Sequence, residues 1–449
     1  MIARQARLPF SIFHMQWVSF GNSPLWRSLR HRNYRLYLTG QLISVCGTWM
    51  QQVAQSWLVY RLTGSATLLG IVGFATQIPV FFLGAIGGVV SDRHSAHRVA
   101  VWTQSAALVQ AVVLAALTLS GLVQPIHIIV LGAVLGFVNA FDMPARQALV
   151  HKLVSVDDLP NAVALNSSMI NAARIVGPGI VGVVVALLGE GACFSINAVS
   201  YLAVIVALLA MRFGSEKIDL RTPVSLAHSL REGFRYTRDT VPIRDVLILL
   251  SIVGVMGMPY ITLMPVFAAD IHKSGADALG LMMGAVGLGA LAGALGLARR
   301  KSVIGLGRII AISTIGFGVG LVAFSLSSLF WLSLLLLIGV GMGWMVQIAA
   351  CNTALQTLAE DEMRGRVMSL FSMMLVGMAP FGSLVAGWAS DRIGAPSVVA
   401  IGGTGCALAG LLFARRLPHL VAAARPILIA RGIIVEPSAS SQPVRMDAS

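Results

Sequence analysis

Arg174 stands inside an otherwise uncharged apolar stretch, 162–188, in the run Asn166-Ser167-Ser168-Met169-Ile170-Asn171-Ala172-Ala173-Arg174-Ile175-Val176-Gly177-Pro178. Read as a helix rising 1.5 Å per residue, the stretch places it about 18 Å from its start, near the middle of a bilayer core roughly 30 Å thick. A guanidinium at that depth costs a few kcal/mol on insertion scales and cannot easily snorkel to water. What it offers is a planar fork of donors that holds a carboxylate or phosphate at two points. The position suits a cavity residue that binds an anionic group or pairs with Asp142; bracing the helix is the structural alternative. Asn166 and Asn171 bracket the face of Arg174 only approximately.

Carboxylates that could change charge inside a membrane are scarce. A proton-driven carrier needs one, and Asp142, beside the stretch 126–141, is the only acid embedded near such a stretch. Gln41, Gln51, Gln52 and Gln55, with Trp49 and Trp57, make the stretch 36–60 polar and aromatic, as a cavity wall is; Trp344 and Gln347 do the same in 330–359. Aromatic residues at stretch ends equally serve as interface anchors. Enzymatic chemistry finds no support: there is no Gly-x-x-x-x-Gly-Lys-Ser/Thr for nucleotide phosphates, no catalytic triad and no zinc motif. Cys46, Cys193, Cys351 and Cys406 lie within apolar stretches at no metal or redox spacing, and read as small buried hydrophobes. No cofactor is expected.

The elements that position these residues are legible in the composition. With 57% hydrophobic residues, 11% charged and a mean hydropathy of +0.83, the chain is far more apolar than a globular domain, where about a quarter of residues are charged. Twelve apolar stretches predict twelve transmembrane helices: 36–60, 66–91, 99–122, 126–141, 162–188 and 191–211, then 246–269, 278–298, 309–329, 330–359, 367–390 and 393–414. The ninth and tenth share one uncharged run, divided here at 325–328. Placing the N-terminus in the cytoplasm leaves only Arg61, Lys273 and Arg392 in outside loops and Arg174 in the membrane. All other Lys and Arg of the 32 then lie inside, the positive-inside bias that puts both termini in the cytoplasm. The net charge of +14 is thus topogenic and not a nucleic-acid footprint.

The long charged stretch 212–244 divides the chain into a six-helix half at 26–211 and another at 245–416, with an N-terminal extension 1–25 and a tail 417–449. Within the linker, 225–238 places Leu226, Leu230, Phe234 and Thr237 three and four apart, with Arg231, Glu232, Arg235 and Arg238 on other faces. This predicts a helix lying on the inner membrane surface. The stretch 12–20 is short, interrupted by His14 and Gln16 and followed by no cleavage site, so it does not read as a cleavable signal. From Glu436 the tail is rich in Ser and Pro and reads as disordered. A weak repeat relates Ala148-Leu149-Val150…Asp157-Asp158-Leu159-Pro160-Asn161 to Ala354-Leu355-Gln356…Glu360-Asp361-Glu362-Met363-Arg364-Gly365. Each leads into a stretch with a central proline, Pro178 or Pro380. Both turns lie on one side, so the repeat is parallel.

The turn after the second stretch, Gly87-Gly88-Val89-Val90-Ser91-Asp92-Arg93-His94-Ser95-Ala96-His97-Arg98, resembles the Gly-x-x-x-Asp-Arg-x-x-Arg-Arg signature of the major facilitator superfamily. One departure is Ala96-His97 in place of the later arginine pair, with Arg98 one step on. The runs Asn139-Ala140-Phe141-Asp142-Met143-Pro144-Ala145-Arg146, Arg364-Gly365-Arg366-Val367 and Pro259-Tyr260…Leu263-Met264-Pro265-Val266-Phe267-Ala268 resemble the branch that includes enterobactin and macrolide exporters. That resemblance spans 26–416. Gly177-Pro178-x-x-x-Gly182 is similar to the span-five motif of antiporters in this superfamily.

The resemblance implies an all-α fold of twelve transmembrane helices in two pseudo-symmetric halves. It implies a cytoplasmic gate of Gly88, Asp92, Arg93, Arg98, Asp142, Arg146, Arg364 and Arg366, in which Gly88 permits close helix approach and Asp92 faces the N-terminal end of a neighbouring helix. Asp142 is then either the partner of the gate arginine or the proton carrier. The cavity residues expected are Arg174, Asn171, Gln51, Gln55, Trp344 and Gln347, with kinks at Gly177, Pro178 and Pro380. The function expected is proton-coupled efflux of an amphipathic small molecule (drug, macrolide or siderophore) by a monomer in a bacterial cytoplasmic membrane, working by alternating access. An importer or facilitator is the alternative within the class, and a non-transporting membrane sensor or scaffold the alternative outside it.

Overall fold

A computed structural model of the chain describes residues 24–213, 226–300 and 302–431. Nearly all of the expected N-terminal extension, part of the linker and the Ser/Pro-rich end lie outside the described residues. The described chain is helical, and six helices precede the linker: α1 (Arg32–Thr63), α2 (Ala66–Arg93), α3 (Ala96–Leu119), α4 (Pro125–Leu153), α5 (Leu159–Leu188) and α6 (Glu190–Leu209). A surface helix, α7 (Leu226–Asp239), leads into α8 (Val241–Ile271), α9 (Ala276–Ala298), α10 (Leu306–Leu326), α11 (Phe330–Leu358), α12 (Arg364–Ile393) and α13 (Ala395–Ala430). Eleven of these helices are long and apolar enough to cross a membrane. The remaining span, α1, has the length, but its glutamines lower its mean hydropathy.

Several helices run past their apolar stretches. α1 begins at Arg32 and not at 36, α4 continues to Leu153 and α13 to Ala430. Apolarity marks where a helix meets lipid, whereas Arg, Lys and Gln are good helix formers and carry the backbone pattern on into water. Proline breaks the regularity where it falls at depth. α12 divides at Met378, just before Pro380, and α8 contains wide turns at Val253–Gly257 and Phe267–Ile271, beside Pro259 and Pro265. Pro178 is held within the continuous α5.

The two halves pack by one scheme. α2 lies on α4, α3 on α4 and α6, and α1 on α5 and α6; correspondingly α9 lies on α11, α10 on α11 and α13, and α8 on α12 and α13. The halves meet through α2 with α12 and α5 with α9, two contacts that a two-fold axis along the membrane normal exchanges. Both contacts need glycine. A Cβ at Gly70 would strike the Ser383 backbone, and one at Gly280 the Pro178 carbonyl, so small residues set how closely the halves approach.

α7 docks more firmly than a purely lipid-facing helix would. Gly233 sits against Arg366, Glu232 pairs with Arg366 at 3.0 Å, and the Glu360 N–H donates to Tyr236 Oη at 3.2 Å. Arg231, Arg235 and Arg238 remain exposed, as does Phe234. Thr237, expected on the lipid stripe, is buried.

Candidate functional site

Arg174 lies where the halves meet. Its Cζ stands 5.2 Å from the ring centroid of Trp49 on α1 and 5.5 Å from that of Trp344 on α11, over both rings, so one cation engages an indole from each half. Glycines make the approach possible. Gly177 abuts Trp49 Cβ and the Cys46 carbonyl, drawing α5 onto α1, while Gly287 of α9 abuts Ile175 and the Arg174 carbonyl. Arg174 Nε and Nη1 are buried and form no hydrogen bond among the described residues. Tyr260 on α8 is 1% exposed, and its hydroxyl forms no hydrogen bond among the described residues. Gln347, one turn along α11 from Trp344, is buried, and neither of its amide atoms forms a hydrogen bond among the described residues. Arg174, Trp344 and Gln347 thus come from the residues expected to line a cavity; Tyr260 belongs to the Pro259-Tyr260 motif of α8, where nothing in its spacing announces a buried hydroxyl.

The other expected lining residues are not gathered here. Gln51 is committed inside the first half: its Nε2 donates to Gln110 Oε1 at 3.2 Å and its Oε1 accepts from Asn197 Nδ2 at 2.7 Å. Gln55 is buried towards Gly132 of α4. Asn171 Nδ2 donates to the Ser167 carbonyl of its own helix at 2.9 Å.

Asp142 forms a second polar centre, and it pairs with Arg146, not Arg174. Its Oδ1 accepts from Thr103 Oγ1 at 2.8 Å and Gln104 Nε2 at 2.9 Å; its Oδ2 lies 2.7 Å from Arg146 Nε, one helical turn on. Arg146 Nη1 donates to Gln41 Oε1 at 2.9 Å. The cluster therefore ties α1, α3 and α4 together, and Asp142 is only 2% exposed. A further buried acid, Asp245 near the start of α8, lies 3.2 Å from Arg244 and 3.3 Å from Arg416.

The turns that hold most of the arginines form one face of the bundle. At this face Arg93 and Arg98 are exposed, Arg364 pairs with Asp361 at 2.5 Å, and Arg366 pairs with Glu232. Only the backbone of Asp92 is among the described atoms. The expected close approach at Gly88 is corrected by one residue: a Cβ at Gly88 would meet open space, while Gly87 is pressed against the Ala140 carbonyl of α4. Successive helical residues point about 100° apart, so only one of the pair can face α4.

The opposite, arginine-poor face is closed across the halves. Asp391 of α12 accepts from the backbone N–H groups of Ala66 at 2.8 Å and Thr67 at 2.9 Å, and from Ser65 Oγ at 2.9 Å. A carboxylate of the second half thus caps α2, where the helix dipole favours an anion. Tyr60 Oη donates to Asp270 Oδ2 at 2.5 Å. Deeper along the same α2–α12 contact, near mid-depth, Phe381 packs edge-on against Phe74 and Phe81, with ring centroids 5.6 and 6.1 Å away. Arg61 grips Glu190 at two points, 2.7 and 3.2 Å, beside this closure.

Twelve spans in two halves of matching packing, meeting along α2–α12 and α5–α9, define a membrane transporter of the major facilitator type. A family model described as transmembrane secretion effector matches residues 23–430, and the chain belongs to that family. It is 26% identical over 362 residues to the staphyloferrin A transporter of Staphylococcus aureus, covering 80% of this chain and 90% of that one. To the multidrug efflux pump Tap of Mycolicibacterium fortuitum it is 26% identical over 368 residues, covering 80% and 89%. Its fold matches the crystal structure of a peptide transporter, POT, with a TM-score of 0.70 at 12% identity, over 87% of this chain and 95% of that one. The family and these relatives are transporters, not enzymes.

Proposed function

We propose that the chain exports a small amphipathic molecule across a bacterial cytoplasmic membrane in exchange for protons, with the arginine-rich face and both termini in the cytoplasm. The observation that carries this reading is Arg174, held at mid-depth between Trp49 of one half and Trp344 of the other. Rocking one half against the other must change the contact with Trp344, which lies across the interface, while Trp49 moves with Arg174 in the first half, so a ligand seated on Arg174 can bias the change. Closure at the arginine-poor face by Asp391 and Tyr60 gives the state that loads from the cytoplasm. Efflux is named for one of the relatives described above, which supports the direction. The basic turns support the sidedness.

In this reading the proton acts at Asp142. Neutralising it would strand Arg146 without a counter-charge in a mostly buried position, and such a charge is strongly unfavourable. Release of that pair would loosen the α1–α3–α4 cluster during the cycle. The test uses inverted membrane vesicles and a compound found by comparing the spent medium of cells with and without the protein. Uptake is expected to require an imposed proton gradient and to disappear in Arg174→Gln. Uptake that survives collapse of the gradient removes proton coupling and leaves Asp142 as a fixed brace. A full biological effect from variants that transport nothing would favour a sensor or scaffold.

A further inference from the structure

Charge bookkeeping around Arg174 points to the chemistry of its ligand. Each buried acid described above already has a partner: Asp142 pairs with Arg146, Glu190 with Arg61, and Asp245 with Arg244 and Arg416; the exposed Asp270 accepts from Tyr60. The guanidinium at mid-depth has indole rings for neighbours and two buried nitrogens without a hydrogen bond among the described residues. Indoles attract a cation through their ring faces but accept nothing from its in-plane N–H groups. The in-plane edge is what a carboxylate binds best, at two points. On α8, Tyr260 adds a neutral hydroxyl that is buried and forms no hydrogen bond among the described residues.

We infer that the central site takes an organic anion: a carboxylate carried on a flat apolar body, its charge on the Arg174 guanidinium and its body against Trp49 and Trp344. The inference rests on the reading of Arg174 as the transport site. It excludes cationic amphiphiles as preferred ligands. They would meet a like charge in a region of low dielectric, where such repulsion is little screened.

The test titrates the purified full chain in detergent with 2-naphthoate, 2-naphthamide and 2-naphthylmethylammonium, which share a ring system and differ in charge. Heat of binding and tryptophan emission are followed. Naphthoate is expected to bind saturably and roughly tenfold or more tighter than the amide, with no competition from the ammonium. Arg174→Gln is expected to weaken naphthoate roughly 10–100-fold, the range for one charged hydrogen-bonded contact, and to leave the amide unchanged. Arg174→Lys should recover part of the loss, because an ammonium keeps the charge but not the fork.

Equal binding of acid and amide, tighter binding of the ammonium, or no saturable naphthoate binding overturns the anion. Amide or ammonium binding that is lost in Trp344→Ala overturns it while keeping the central site. Naphthoate binding indifferent to Arg174→Gln, Trp49→Ala and Trp344→Ala overturns both the anion and the site. If Arg174→Gln does not fold, the ranking of the three probes on the unaltered chain decides.

Discussion

Asp142 and Arg146 are neighbours on one helix, yet their pairing binds three helices, because Thr103, Gln104 and Gln41 complete the cluster. Removing the acid alone leaves a cation that is largely out of water. Asp142→Asn is therefore expected to destabilise the first half by about 2–4 kcal/mol, somewhat less than the roughly 3–5 kcal/mol for stranding one member of a fully buried pair, since Arg146 is partly exposed. Arg146→Gln in the same chain should restore much of that loss. Thermal unfolding in detergent of both single variants and the double variant measures it, and additive losses would show that the two side chains do not depend on each other. Arg174 could be singled out from the sequence because a charge inside an apolar run is conspicuous. Gln51 shows the converse: an amide on a span looks the same in sequence whether it faces a cavity or bonds, as here, to Gln110 and Asn197. The error at Gly88 is of one residue, and only the packing of α2 on α4 reveals which glycine of the pair is covered.

The helices themselves were readable, since apolar stretches report lipid contact directly; their polar ends and the wide turns inside α8 were not. Nor were the ties between elements far apart in sequence. Asp391 and the start of α2 share no local pattern, and their meeting follows only from how α12 lies on α2. That cap makes a definite statement about the closed face. Asp391→Asn keeps the shape but loses the charge at the helix end, which is worth about 0.5–1 kcal/mol. The population open at the arginine-poor face should rise roughly two- to fivefold. Spin labels at Leu62 and Ile393, both exposed on that face, report it as a longer distance component; an unchanged distance distribution would mean that Tyr60–Asp270 holds the face unaided.

At the scale of the molecule, sidedness governs every functional statement. Cysteine at Gly275, in the turn between α8 and α9, should react with an impermeant maleimide added to intact cells. Cysteine at Ser302, between α9 and α10, should react only after permeabilisation. The reverse pattern would place the arginine-rich face outside and turn the proposed export into import. One further consequence lies in α1, the only span of the twelve that does not qualify as apolar. Of its four glutamines, Gln41 and Gln51 are hydrogen-bonded to other helices in the finished bundle, but a chain still emerging from the ribosome has none of Arg146, Gln110 or Asn197 to offer. Alone, such a helix gains too little from lipid to leave the insertion channel. Its biogenesis must then be cooperative, with α1 waiting at the channel until α2 or later helices shelter it. A chain ending after Thr63 and fused to a reporter should remain extractable by alkali, whereas one ending after α6 should resist. The polarity that equips the transporter's interior thus sets the order in which its own helices can enter the membrane.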